Sequence, residues 1–411
     1  MAPFDLTQRF HALRDLLAAH EYLWRPTPFH DLRPGWCTRH PDLADRLLGM
    51  SREEVEALSG DNHALVDLVA GHVPALDALH SLIEVPRSAG TSGPAPREPD
   101  RLLAHVPGRK AAQISAFEAG MGVVGHPVLE WCAGKGHLGR LLARRQSHPV
   151  SSLEIRPDLV QAGRDLARRQ GLAQDFICAD ALTPMARVHV ADHHAVALHA
   201  CGDLHLALLR YAVAEGAPAL DLAPCCYYRT AEAHYRPLCE DAGLSLDRDL
   251  LHLAVTETVT AGAGDRQRST MAAAWKLAFL EWRADAGVPR GATFKPVPAP
   301  WLTLGFGGWM ERLCQREGVP RPAPEDLPRL ESEGRRREAE VRRLDLVRLA
   351  FRRPLELWLV LDRALYLERH GYRVRLTEFC DRGLTPRNLL ISARHVTGVG
   401  VPGGPRLPID G

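Results

Sequence analysis

The stretch from Val128 to Arg140 reads VLEWCAGKGHLGR and places Gly134, Gly136 and Gly139 in the spacing G-x-G-x-x-G. A glycine-rich turn between a strand and a helix lets backbone approach a ligand closely and aims free N–H groups at it. Glu154 follows twenty positions after Gly134, at the end of the apolar stretch SSLEI. There its carboxylate can accept hydrogen bonds from both hydroxyls of a ribose. Asp180 closes FICAD, a position from which a carboxylate can accept from an adenine amino group or cap the turn that follows. These residues describe a nucleotide-type pocket. The glycine spacing alone suits a dinucleotide pyrophosphate as well as an adenosine that carries no phosphate.

Glu130 separates the two ligands. It lies four residues before Gly134, inside the end of its strand, where an acid suits the cationic methionine end of S-adenosylmethionine. Dinucleotide-binding strands end apolar at that point. The candidate cofactor set is Glu130, Cys132, Ala133, Gly134, Lys135, Gly136, Glu154, Ile155, Asp180, Ala181, His199 and Ala200. Two later segments, ALHACGDL (197–204) and LAPCCYYR (222–229), close a fourth and a fifth strand. In an open parallel sheet ligands sit beyond the carboxyl ends of the strands, so these ends should flank a reacting group. His199, Asp203, Cys225, Cys226 and Tyr227 are therefore the candidates for catalysis, with Cys201 nearby. Asp203 also suits the cap of its helix. Cys225 and Cys226 suit nucleophiles, metal ligands or packed thiols. No second Cys/His cluster has metal-ligand spacing, so no metal is expected. Tyr227, Tyr228 and Arg229 suit stacking on a base or walling the pocket. The HVADHH run (189–194) reads as a solvated loop.

These residues need a strand–helix scaffold, and the pattern supplies one. HPVLEW, HPVSSLEI, AQDFICAD, HHAVALHAC and PALDLAPCC read as five strands separated by helices, such as RPDLVQAGRDLARRQG closed by Gly171. Such alternation specifies an α/β fold with a parallel, doubly wound sheet. The chain then offers a helix, LELWLVLDRALYLERHG, a strand, YRVRLTEFCD, a short turn and a last strand, LLISARH. The fold class expected is a Rossmann-like class I methyltransferase sheet, mostly parallel with a terminal antiparallel β-hairpin, plus an N-terminal helical domain and a helical insertion. The expected boundaries are a helical domain over 1–87, with a capping box at Ser51 and Glu54; a Pro-, Gly- and Ser-rich linker over 88–100; the methyltransferase domain over 101–228 and 355–397; a helical insertion over 229–354; and a disordered tail over 398–411.

Whole-chain properties bound the partners. The 411 residues carry a formal net charge of +1, so no global basic field announces nucleic acid. A local patch exists: residues 334–354 hold eight arginines against three acids. Arg335, Arg336, Arg337, Arg342, Arg343, Arg352 and Arg353 can grip phosphates along an RNA backbone or form a salt-bridged helix face. Nine cysteines without C-x-x-C spacing suit reduced thiols, hence a cytoplasmic location. The first residues lack the pattern of a signal peptide, and no run of about 18 apolar residues suggests a membrane span. Oligomeric state is not legible.

CAGKGHLGR, LHACGDL and PCCYY together resemble the class I methyltransferases marked by GAGKGxL, LHACGDL and CCY segments, a family that includes tRNA 2′-O-methyltransferases and uncharacterised methyltransferase-like proteins. The resemblance covers most of 101–395 and implies a cofactor role for Lys110, in VPGRKAAQISAFE. The chain departs from the family at Cys132, where many methyltransferases have the first motif glycine, and at CCYY, where tRNA-modifying relatives tend to have histidines after CC. The expected function is S-adenosylmethionine-dependent methylation of a macromolecule, foremost RNA. The alternatives are a protein methyltransferase, a nicotinamide-dependent oxidoreductase and a non-catalytic binding module. A covalent cysteine mechanism at Pro224-Cys225 is a minor variant, because HACGD lacks the partner Pro-Cys.

Overall fold

The computed structural model describes residues 5–88, 101–103, 106–146, 148–256, 263–289 and 294–396. Most of the expected linker and the expected tail lie outside these residues. Seven strands form one sheet in the order β3-β2-β1-β4-β5-β7-β6. They are β1 Val128–Trp131, β2 Val150–Glu154, β3 Gln174–Cys178, β4 His194–Ala197, β5 Ala219–Leu222, β6 Tyr372–Glu378 and β7 Leu389–His395. The first five run parallel. β7 runs antiparallel to both β5 and β6. The mostly parallel sheet closed by an antiparallel hairpin, as expected from the sequence, is the one formed.

The burial pattern explains the pairing. VLEW, HAVA and ALDL are buried along their whole length, as strands covered by helices on both faces must be. The helices Gly108–Met121 and His137–Arg145 send Ile114, Phe117, Leu141 and Leu142 against Val128, Val150, Val196 and Leu390. The centre of the sheet is also stitched by polar groups. His194 Nε2 lies 2.6 Å from Asp221 Oδ2, which also accepts from Arg394 Nη2 at 2.8 Å, while Ser392 Oγ donates to Asp221 Oδ1. His194 is thus fully buried, not part of a solvated loop. The buried carboxylate on the next strand satisfies its Nε2 inside the sheet, while its Nδ1 has no partner among the described residues.

The chain divides into two compact units, with boundaries unlike those read from the sequence. The sheet unit comprises 1–18, 81–255 and 354–411; the helical unit comprises 19–80 and 256–353. The first helix, Leu6–Ala19, belongs with the sheet because Phe10 stacks on Trp358 at 5.8 Å. Residues 229–255 stay with the sheet because Asp362 gathers Tyr235 Oη and the Leu238 and Cys239 N–H groups at 2.5, 2.9 and 2.9 Å.

In the helical unit two long helices, Ala263–Asp285 and Leu327–Ala350, pack closely. A Cβ at Gly334 would lie 2.4 Å from the Ala274 carbonyl oxygen, so glycine sets that approach. Trp275, Trp309, Phe306 and Leu313 fill the core of this unit. The capping box is present: Ser51 Oγ accepts from Glu54 N at 3.2 Å and Glu54 Oε2 accepts from Ser51 N at 2.7 Å. Among the described residues no helix is long and apolar enough to cross a membrane.

Candidate functional site

The turn after β1 is built from below. Ala133 N donates to Leu153 O and Gly136 N to Ala133 O, both at 2.9 Å, which fixes the turn against β2. Cys132, Gly134 and Gly136 take φ of 56°, 59° and 66°. For Cys132 this is an unusual conformation for a residue with a side chain. Burial pushes its thiol up to about 12, with Glu154 adding to the effect.

The three glycines have different reasons. A Cβ at Gly134 would meet nothing within 4 Å, so this residue faces open space above the turn. A Cβ at Gly136 would lie 2.4 Å from Gln174 Nε2 and 2.6 Å from the Phe176 ring, and one at Gly139 would lie 2.5 Å from Gln174 Nε2 and Glu130 Oε2. Gly136 and Gly139 therefore admit the protein's own side chains beneath the loop.

Glu130 belongs to that underside. Its Oε2 accepts from Ser152 Oγ at 2.7 Å, and Gln174 Nε2 bridges Ser152 Oγ at 2.8 Å to Gly136 O at 3.0 Å. The carboxylate also accepts from the first N–H groups of the helix His137–Arg145, at Leu138 and Gly139, while burial raises it to about 7. It holds the loop to β2 and β3 and, in this arrangement, does not present its charge to a ligand above the loop. Sequence reading missed Ser152 and Gln174; their polar side chains inside strands are the signal that marks them.

Glu154 sits at the rim. Oε2 accepts from Gly134 N at 2.8 Å and Oε1 from Arg156 N at 3.0 Å. Each carboxylate oxygen keeps further acceptor capacity, which suits a ribose diol. Beside it Ile155 is 55% exposed and Leu182 51% exposed, an apolar surface fit for a flat purine. Asp180 Oδ1 caps its own turn through Leu182 N at 2.9 Å. An open glycine, a carboxylate with spare lone pairs and two bare apolar side chains fit an adenosine with no phosphate.

The ends of β4 and β5 converge. Cys201 and Cys225 are parallel bridge partners with Sγ atoms 3.3 Å apart. Cys226, at φ 46°, joins them, and the three Sγ atoms lie within 4.8 Å of one another. Hydrogen bonds from Cys201 and Cys225, with Arg229 and Arg387 nearby, lower the Cys226 thiol; the same sharing raises Cys225. The sequence spacing did not reveal this cluster, because the partner thiols come from two strands.

His199 and Ala200 stand at the end of β4, with His199 exposed. Crowding and the nearby Lys110 ammonium lower the pKa of His199. Asp203 does not cap its helix: Gly202 occupies the cap position, and Asp203 Oδ2 accepts from Ala231 N at 2.7 Å. Tyr227 is buried and cannot stack on an incoming base; the Arg363 guanidinium lies 5.0 Å from its ring centre. Tyr228 tilts on His252 at 4.7 Å.

Support for these turns comes from the helix Arg352–Arg369. Arg363 Nε donates to His205 Nε2 at 2.9 Å and Nη1 to Tyr235 Oη at 3.0 Å, while His205 Nδ1 lies 3.1 Å from Ala200 O. Burial, then the Arg363 charge, holds His205 well below the usual histidine range, so it is neutral.

Residues 121–233 match the family model described as a methyltransferase domain. That segment contains the glycine turn, both acids at the rim and the β4 and β5 ends. This segment of the chain is therefore similar to a methyltransferase domain, and it lies within a mostly parallel seven-stranded sheet closed by an antiparallel hairpin. Three solved structures are similar to the chain over part or most of its length. A structure described by the conversion of a disulfide bond into a thioacetal group during echinomycin biosynthesis is 21% identical over 27% of this chain and 47% of its own, with TM-score 0.22. The tRNA (uracil-54, C5)-methyltransferase of Pyrococcus abyssi in complex with S-adenosyl-L-homocysteine is 16% identical over 27% and 28%, with TM-score 0.22. Coclaurine N-methyltransferase bound to N-methylheliamine and SAH is 13% identical over 95% and 93%, with TM-score 0.25. The chain thus spans under half the length of the first two.

The arginine-rich helix behaves differently from the phosphate-tracking expectation. Arg337, Arg352 and Arg353 are buried. Arg335 pairs with Glu331 at 2.7 Å, Arg336 with Glu333 and Glu340, and Arg342 with Glu338 at 3.8 Å. Arg343 Nε donates to Met50 O at 2.7 Å and Arg352 Nε to Asn62 Oδ1 at 2.7 Å. Most of these guanidinium groups hold the helical unit together.

Proposed function

We propose that the protein is an S-adenosylmethionine-dependent methyltransferase that modifies RNA, with the acceptor entering over the β4 and β5 ends. The observation that supports this is a set of cations around the site. Lys110 is exposed and close enough to depress His199 and His137; Lys135 acts on His137; Arg229 and Arg387 act on Cys226. Four cations around a cofactor edge suit a polyanionic backbone better than a neutral small acceptor. The GAGKGxL-like, LHACGDL and CCY segments point the same way by resemblance.

The residues have distinct tasks in this reading. Bound S-adenosylmethionine supplies an electrophilic methyl group. Glu154 orients the ribose, and Ile155 with Leu182 takes the purine. The Gly134 turn leaves room for the rest of the molecule. Positioning the acceptor in line with the methyl group is the main contribution to rate. His199, neutral near pH 7 because its pKa is lowered, is the group at the strand ends suited to take a proton from a hydroxyl acceptor. Asp203 is already engaged with Ala231 N.

Incubation with labelled S-adenosylmethionine and separated RNA and protein fractions tests the proposal. Label is expected in RNA, reduced by Lys110→Glu and Arg229→Glu, with a shallower dependence on salt. Label confined to protein, or RNA labelling indifferent to both charge reversals, sinks it.

A further inference from the structure

We infer that Cys201, Cys225 and Cys226 form a three-thiolate site for a thiophilic cation, Zn²⁺ by charge and ligand type. The argument starts from backbone. Successive side chains of an extended strand point to opposite faces, so Cys225 and Cys226 would ordinarily diverge. The left-handed Cys226, at φ 46°, breaks that alternation and brings both thiols to one point. Cys201 reaches the same point from the neighbouring strand end through its parallel bridge to Cys225.

The convergence is enforced from behind. Gly202 N donates to Cys225 O at 3.3 Å, Asp203 N to Arg229 O at 3.1 Å and Arg229 N to Cys226 O at 2.9 Å. A Cβ at Gly202 would lie 1.8 Å from Arg229 O, so only glycine lets the two strand ends approach this far.

The spacing suits a metal. Zn–S bonds of about 2.3 Å in a tetrahedron place the sulfurs about 3.8 Å apart. The observed separations, from 3.3 Å for Cys201 and Cys225 to at most 4.8 Å, bracket that value. Soft thiolates select zinc over calcium or magnesium. Three thiolates around Zn²⁺ leave one net negative charge, which the neighbouring Arg229 and Arg387 offset. With three protein ligands the fourth position stays open to solvent or to an acceptor atom, the arrangement of a reactive site and not of a closed structural one.

The test reads metal and not methyl transfer, so it stands or falls apart from the RNA proposal. Full-length protein purified without a polyhistidine tag is measured by elemental mass spectrometry, then stripped and titrated with Co²⁺. About one equivalent of zinc and a thiolate-to-cobalt charge-transfer absorption are expected. Cys201→Ser and Cys226→Ser, both half-buried positions, should weaken binding by more than the roughly ten- to hundredfold typical of losing one supporting hydrogen bond. Cys37→Ser should leave it unchanged. Circular dichroism shows whether each variant is folded, and the cobalt band of the folded wild type stands even if a variant is not. Stripped wild-type protein that binds neither Zn²⁺ nor Co²⁺ overturns the inference, as does a Cys201–Cys225 disulfide in protein prepared without reductant.

Discussion

Ser152 Oγ donates to Glu130 Oε2 at 2.7 Å, underneath the glycine turn. This contact makes the acid that best distinguished the cofactor in the sequence a clamp on the loop. Burial raises Glu130 to about 7. A carboxyl group whose folded pKa exceeds its unfolded value contributes stability that is complete below about 4.5 and lost as pH rises through about 7. Glu130→Gln keeps an acceptor for Ser152 and cannot ionise. Its stability should therefore gain on the wild type between pH 5 and pH 8, by an amount on the order of 3 kcal/mol. Urea unfolding at both pH values measures this; an equal gap at both would mean Glu130 titrates normally.

His205 imposes the opposite slope. It is buried and neutral, between Arg363 Nε and Ala200 O. Its lowered pKa means its contribution is complete above about 6.5 and lost as pH falls below that value. In the Glu130→Gln background, where the raised carboxyl is gone, stability should decline as pH falls from 6.5 to 5. His205→Leu should flatten that decline. It should also lower stability near neutral pH by about 3 kcal/mol, because Arg363 loses an acceptor inside the protein.

Glu154→Ala removes the acceptor of Gly134 N–H and Arg156 N–H together with the proposed ribose contact. Hydrogen bonds to a charged group contribute about 1.5–3 kcal/mol each. Calorimetric titration should show S-adenosylhomocysteine binding weakened by roughly ten- to hundredfold, with an unchanged far-ultraviolet spectrum. Unaltered affinity would place the adenosine elsewhere.

Two glycines of one turn should fail differently. Gly134 faces open space, so Gly134→Ala should fold, with about 1–2 kcal/mol of left-handed strain, yet bind S-adenosylhomocysteine more weakly. Gly136→Val drives a side chain into Gln174 and Phe176 and should lower the melting temperature markedly, with binding lost as a consequence. Melting curves beside titrations separate the two; equal stability of both variants would contradict the assigned crowding.

Much of the fold was legible along the chain. Strand and helix periods, the glycine turn and the final helix–strand–turn–strand pattern are local properties, and each element carries its own apolar spacing. The alternation alone determined a parallel sheet closed by an antiparallel hairpin, and Glu154 and Asp180 fell at strand ends because hydrophobic runs stop there. Position in three dimensions decided the rest. The side on which Glu130 presents its carboxylate depends on Ser152 and Gln174 from two other strands. Asp203 turns from its helix to Ala231 because the fifth strand's turn passes over it. The arginine helix reads as a phosphate track until Glu331, Glu333, Met50 and Asn62 are seen to take its donors. Of the three thiols, Cys201 lies 24 residues before the adjacent pair Cys225 and Cys226. They meet because parallel strands align their carboxyl ends, a consequence of pairing register that no spacing within a single segment records.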